Sequence, residues 1–260
     1  MQRVGTQPQG DRAEAQRAPG TPAAPELLVR GGCWRLLDRL DGYSRARGQD
    51  LATQAAAGRH LVVLGPAPGR GGRLRVRLLE DGYPCWLEPN DLLGRAVAAP
   101  QPLPRLLDEA AITAAIPVVL AYGHQAASQP NHYLWGGTTG PNFDCSGFVQ
   151  TAYARAGIWI PRDAYQQERF CQAVAVRPGH FGLVRPGDLI FFGRPQRCTH
   201  VGLYLGAGRY LHSSGREHGR DGLGINQLAP HDHDPVSRHY RGELRGAGRV
   251  VRCHDGTTLP

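Results

Sequence analysis

Three residues have the types and the spacing for nucleophilic acyl transfer: Cys145, His200 fifty-five residues later, and His212 twelve beyond that. A thiol attacks a carbonyl carbon only as it loses its proton, so it needs a base within reach. The base in turn needs a polar neighbour that fixes its ring and tautomer. Cys145 ends the Gly/Pro-rich loop YLWGGTTGPNFD (133–144) and opens a segment in which Phe148, Val149, Ala152, Tyr153 and Ala156 recur at helical spacing, with Gly157 where a helix stops. A cysteine in the first turn of a helix faces unpaired N–H groups and the positive end of the dipole. Both favour thiolate, so the expected thiol pKa lies well under the free value of roughly 8.5. Asp144 is the candidate N-cap.

The two histidines lie in HVGLYLGAGRYLHSS, two apolar strands around Gly206-Ala207-Gly208. A three-residue loop pairs Leu205 with Arg209 and sets Gly202 opposite His212. His200 and His212 are then diagonal neighbours on one face, roughly 7 Å apart. A two-residue loop would put them on opposite faces. Val201, Leu203 and Leu205 form the core side. A DCSG alone is better read as an inert helix start, and a histidine alone on a strand as structural; the ordered combination favours catalysis. The oxyanion of the intermediate would meet the Cys145 N–H and a side chain that the sequence does not identify.

These residues must be positioned by the rest of a 260-residue chain, long enough for two domains. Residues 1–25 are polar, rich in Gln, Ala, Pro and Gly, and aperiodic, which reads as a disordered leader. Residues 26–100 alternate short apolar runs (27–29, 60–64, 73–79, 83–87) with turn signals at Asp41-Gly42, Gly65-Pro66, Gly71-Gly72 and Asp81-Gly82, which reads as a small all-β barrel. Residues 94–107 read as a Pro-containing connection, and 108–124 as a helix interrupted at Pro117. Strands follow at 189–193, 200–206 and 209–214. The expected fold class is α+β: a barrel followed over 101–255 by helices packed on an antiparallel sheet.

The motifs DCSGF, RPGDLIFF, HVGLYLG and LHSS, in that order over about 115–215, closely resemble the NlpC family of papain-like cell-wall cysteine peptidases. The preceding segment resembles a bacterial SH3-like barrel, with Cys85 where such barrels carry glycine before the tryptophan. The resemblance implies Cys145 as nucleophile, His200 as general base and acid, and His212 as the orienting residue. It further implies cleavage of the γ-D-Glu to diamino acid (diaminopimelate) bond of peptidoglycan stem peptides, in recycling, with preference for a free N-terminal L-Ala. Substrate contacts are implied at Tyr133, Asp144, Ser146 and Asp163, with Glu80 and Tyr83 from the barrel. Ala164 stands where some relatives carry serine. No cofactor is implied.

The net charge of +8 comes from arginine alone, since the chain has no lysine. The arginines are scattered, as in a protein from a GC-rich genome, and no nucleic-acid partner is expected. Six cysteines without a C-x-x-C pair argue against zinc and against a disulfide scaffold. The run His231-Asp232-His233-Asp234 reads as a solvated loop rather than a metal site. No apolar run approaches the roughly 18 residues of a membrane span, and the first residues lack a signal-peptide centre, so a cytoplasmic location is expected. The rival readings are an amidase or acyltransferase of the same fold, and a non-catalytic muropeptide-binding module.

Overall fold

The computed structural model describes residues 18–66 and 72–257. In the N-terminal part, strands β1 (Cys33–Leu36), β2 (Leu40–Tyr43), β3 (Leu51–Ala55), β4 (His60–Val63), β5 (Leu74–Leu78), β6 (Pro84–Leu87) and β7 (Ala96–Ala98) pair antiparallel. The helical turn α1 (Pro89–Leu92) precedes β7, and the sheet order is β3-β2-β6-β5-β4-β1-β7. The alternation in RLRVRL fixes which face turns in: Leu74, Val76 and Leu78 are buried while Arg75 is exposed. They pack on Trp34, Leu36, Leu61, Val63 and Leu87, each such side chain contributing about 1.5–3 kcal/mol by leaving water.

Several expectations for this half are corrected. The expectation of a disordered leader over 1–25 does not hold at residues 18–25. Residues 1–17 lie outside the described residues, but Gly20 and Ala23 donate their N–H groups to Ala98 and Ala96 (2.8 and 2.9 Å). These bonds cover an edge strand whose backbone would otherwise lack partners. That edge, β7, falls inside the stretch read as a connection. Leu27–Val29 is not a strand: a 3-10 turn at Pro25–Leu27 takes up its first residue and drops Leu28 into the core. Asp41-Gly42 lies within β2 rather than at a turn. A Cβ on Gly42 would sit 2.9 Å from Cys85 Sγ and 3.0 Å from Thr53 Cγ2, so the glycine serves a close strand approach and makes room for the cysteine that replaces glycine at 85. Of the expected turn pair Gly71-Gly72, Gly71 lies outside the described residues.

The C-terminal part is the expected helix-on-sheet layer. It comprises α2 (Glu109–Ala127), α3 (Cys145–Arg155), α4 (Ala164–Phe170), β8 (Gln172–Val174), β9 (Leu189–Arg194), β10 (Arg197–Gly206), β11 (Arg209–Ser214), β12 (Gly222–Gln227), α5 (Pro235–Gly242) and β13 (Leu244–Arg249). The antiparallel sheet runs β12-β11-β10-β9-β13-β8. Leu189, Phe191, Val201, Leu203 and Leu211 face α2 and α3 through Val119, Phe148, Val149 and Ala152. Ile190, Phe192, Tyr204 and Tyr210 face α5 through Val236 and Tyr240. Both faces are thus covered, which is why LIFF is apolar at every position rather than alternating.

Helix α2 runs unbroken through Pro117, where an interruption was expected. Pro117 and Thr113, the residue whose carbonyl loses its N–H partner, are both exposed, so water replaces the missing bond. Contrary to expectation, α2 is also long and apolar enough to cross a membrane by length and composition; here it buries Ile112, Val119, Gly123 and Ala126.

In the β10–β11 hairpin Leu203 faces Leu211 and Tyr204 faces Tyr210, but Gly206 rather than Leu205 faces Arg209. The loop is two residues long, and a bulge at Leu205 absorbs the difference. The bulge restores the register in which Gly202 lies opposite His212, so the two histidines share a face even though the loop is the shorter one.

Gln54 and Thr138 join the two parts at close quarters. The Gln54 N–H donates to Thr138 Oγ1 (3.0 Å), whose hydroxyl donates to Gln54 O (2.5 Å). Gln150 of α3 donates to Asp81 of the barrel (2.8 Å). The segment after β13, anchored by the His254 N–H donating to Trp159 O (2.7 Å), reaches this seam as well. A Cβ on Gly82 would lie 2.0 Å from Thr257 O.

Candidate active site

The loop before α3 is held by one carboxylate. Asp144 Oδ1 accepts the Gly147 N–H (2.7 Å), as an N-cap does, and Oδ2 accepts the Gly136 N–H (2.9 Å). Arg162 donates to both oxygens, to Ser146 Oγ (2.9 Å) and, from Nε, to Thr53 Oγ1 of the barrel (3.3 Å). The glycine in DCSG is required by space: a Cβ at 147 would lie 2.1 Å from Gly137 O. Cys145 is thereby placed in the first turn of α3, 6% exposed.

Its thiol rests against the N–H groups of Val201 and Ser146, and Val201 directly follows His200 on β10. His200 Nε2 is 2.7 Å from His212 Nδ1, and His212 Nε2 is 2.9 Å from Asn226 Oδ1 on β12. Tyr240 of α5 stacks on the His200 ring at 4.2 Å between centroids, its hydroxyl 2.7 Å from Ser214 Oγ. The three residues singled out by type and spacing therefore occupy neighbouring positions, Cys145 and His200 through the β10 backbone and the two histidines through their rings.

The electrostatics differ from the expected depressed thiol. Burial, reinforced by the Asp144 charge, pushes Cys145 up to about 12, against the lowering effect of the Val201 and Ser146 N–H groups and Arg162. A rise from 9.0 to about 12 corresponds to roughly 4 kcal/mol, whereas a helix end contributes about 0.3–2 kcal/mol; desolvation wins. Burial, then repulsion from His212, holds His200 well below 6.5, and burial lowers His212 to about 4 despite its bond to Asn226. The resting pair is a neutral thiol and a neutral imidazole.

A cleft of about 480 Å³ holds Cys145, Ser146, Tyr83, Tyr133, Asp144, Asp163 and Ala164. A second cavity of about 580 Å³ holds His200, Tyr240, Glu217 and Glu243. Tyr133 and Trp135 line both. Burial, reinforced by the Asp144 charge, raises the Tyr133 hydroxyl above the ordinary phenol range. Tyr83 Oη donates to Asp163 Oδ1 (3.4 Å), and burial raises the Asp163 carboxyl.

Two of the expected substrate contacts have other partners in the structure. Glu80 does not line the cleft. It accepts from Arg59 (3.0 Å) and the His60 N–H (2.6 Å) and borders a separate cavity of about 780 Å³ between barrel and helix α3. The reason is Arg59, 5% exposed, which needs Glu80 and Asp81 (2.6 Å) to offset its burial. Asp144 borders the cleft, but both its oxygens are taken up by Arg162 and backbone donors, so it is not a free carboxylate. Arg162, Asn226 and Tyr240 were missed by the sequence reading: a lone arginine beside an aspartate, and an asparagine and a tyrosine in segments without a motif, carry no local signal. No group of metal-ligating residues occurs among the described residues, the 231–234 run included, and all six thiols are free.

Residues 130–243 match the model of the NlpC/P60 family, and residues 42–92 that of the bacterial dipeptidyl-peptidase Sh3 domain. A gamma-D-glutamyl-L-lysine dipeptidyl-peptidase of Bacillus cereus is 36% identical over 152 residues, 57% of this chain and 40% of that one. One from Bacillus subtilis is 42% identical over 84 residues, 31% of this chain and 27% of that one. The matches thus span less than half the length of these relatives. The crystal structure of an NlpC/P60 family protein from Bacillus cereus aligns with a TM-score of 0.43 at 26% identity, over 85% of this chain and 64% of that one.

Proposed function

For a chain that carries an NlpC/P60 domain behind a bacterial SH3 domain, we propose a cysteine peptidase that hydrolyses the γ-D-Glu to diamino acid bond of peptidoglycan stem peptides, diaminopimelate being the diamino acid. The observation that carries the reading is the thiol at the start of α3, against the backbone next to His200, whose far ring nitrogen is bonded to His212. The names of the relatives, dipeptidyl-peptidases acting on γ-D-glutamyl-L-lysine, favour this bond class.

Because thiol and imidazole rest neutral, proton transfer accompanies attack. His200 Nδ1 takes the Cys145 proton as sulfur bonds to the γ-carbonyl carbon. The oxyanion is met by the Cys145 N–H and the Tyr133 hydroxyl, which burial keeps protonated. His200 returns the proton to the leaving amine, and a water that it then deprotonates hydrolyses the thioester. With Asp144 and Ser146 holding the floor of the cleft through Arg162, Asp163 is the carboxylate that receives the ammonium of a free L-Ala, and Tyr83 closes that end. Such a requirement suits freed peptides in recycling. Digestion of L-Ala-γ-D-Glu-diaminopimelate, its L-Lys counterpart and N-acetylated versions, read by mass spectrometry, tests this. The expected outcome is cleavage after γ-D-Glu of the free-amine peptides by wild type and none by Cys145→Ala. Intact peptides with wild type, or cleavage by the mutant, would overturn it.

A further inference from the structure

The bonds beyond His212 set a direction for the protons. Asp234, the N-cap of α5, accepts through Oδ1 both the Ser237 N–H (2.8 Å) and a hydrogen of Asn226 Nδ2 (2.7 Å). Ser237 Oγ accepts the second Nδ2 hydrogen (2.9 Å) and the Gln227 N–H (3.1 Å). A carboxylate can only accept, so the amide group facing it must be the NH₂. The amide oxygen is then committed to His212.

We infer that Asn226, oriented by Asp234 and Ser237, is a positioning residue that fixes the tautomers of both histidines and thereby leaves His200 Nδ1 unprotonated. An oxygen opposite His212 Nε2 (2.9 Å) requires Nε2–H, which leaves His212 Nδ1 bare. Bare Nδ1 accepts from His200 Nε2 (2.7 Å), so that nitrogen carries the proton. In a neutral His200 the remaining nitrogen, Nδ1, then has its lone pair free for the thiol proton. The reverse order fails. With the amide turned over, NH₂ would face Nε2, His212 would carry its proton on Nδ1, and His200 would present N–H to a thiol that must lose a proton. Water does not rescue the wrong order, because Asn226 is 3% exposed and His212 and Ser237 are fully buried. The 231–234 run thus acquires a role through Asp234 that a solvated loop would not have.

This rests on the peptidase reading, but its main test does not need substrate. Imidazole ¹⁵N NMR of the histidine-labelled protein should report His212 in the Nε2–H form; a wild-type His212 protonated on Nδ1 overturns the inference, whatever the enzyme cleaves. In kinetics, losing the orientation of a catalytic imidazole costs up to about 10⁴ in kcat. With His212 itself kept, Asn226→Leu should lower kcat about 10- to 100-fold at unchanged KM, with mixed His212 tautomers in the spectrum. Asp234→Ala should do the same. Asp234→Asn keeps an acceptor oxygen for both donors and should restore most of the loss. Full kcat in Asn226→Leu, or an Asp234→Asn variant as slow as Asp234→Ala, would sink the relay. A wild type that cleaves no stem peptide would defeat the peptidase reading while leaving the tautomer measurement intact.

Discussion

Removing Arg162 should unfold the floor of the cleft more than its single ion pair suggests. Arg162 is 2% exposed and Asp144 6% exposed, so Arg162→Met leaves a buried carboxylate without its counter-ion, an effect of about 3–5 kcal/mol. For a chain of this size that is a fall of about 6–20 °C in Tm. Asp144→Asn leaves the guanidinium unpaired and weakens the bonds to Gly147 and Gly136, so it should cost about as much. The double variant removes both charges together and should recover most of the loss, short of the about 1–2 kcal/mol of the weakened cap. A double-mutant cycle by thermal and urea unfolding should therefore give a coupling energy of about 4 kcal/mol or more. Iodoacetamide labelling of Cys145 in the same variants should speed up as α3 frays and water enters. Single variants within about 0.5 kcal/mol of wild type, or strictly additive losses, would show that the pair does not hold the loop.

Both histidines have folded pKa values below 6.5, so the unfolded chain binds protons that the native site refuses. Stability is full above about pH 6.5 and falls as pH drops toward 4, with His212 alone, at about 4, accounting for roughly 3 kcal/mol. Urea midpoints measured from pH 7.5 to 4.5 should show this slope, and His212→Gln should flatten it. Asp163→Asn should raise KM for free-amine stem peptide about 10- to 100-fold, the value of a charge-assisted bond, and leave the N-acetylated peptide unaffected; equal effects on both would remove Asp163 from ammonium binding. Thr138→Val leaves the Gln54 N–H and carbonyl short of partners at the seam between the barrel and the helix-on-sheet part, and should lower stability by about 1–3 kcal/mol, read by thermal unfolding.

Patterns confined to a few residues were legible in the chain: the helix opening at Cys145, the apolar strands of the sheet, the β-rich N-terminal part, and the phase that puts His200 and His212 on one face. Period, capping and turn chemistry act over ten residues or fewer, and the side chains carrying them lie inside the segment they shape. Even so, the hairpin reached its phase by a bulge at Leu205 rather than by the longer loop, and Asp41-Gly42 sits within a strand because Cys85 packs where a side chain at 42 would be. The ionisation of the thiol, the removal of Glu80 from the cleft, the capture of Asp144 by Arg162 and the turn of the Asn226 amide were decided only by tertiary structure. Each depends on how much water remains around a polar group and on which distant group replaces it. Desolvation outweighs a helix dipole at Cys145, and buried Arg59 draws Glu80 away from the substrate side.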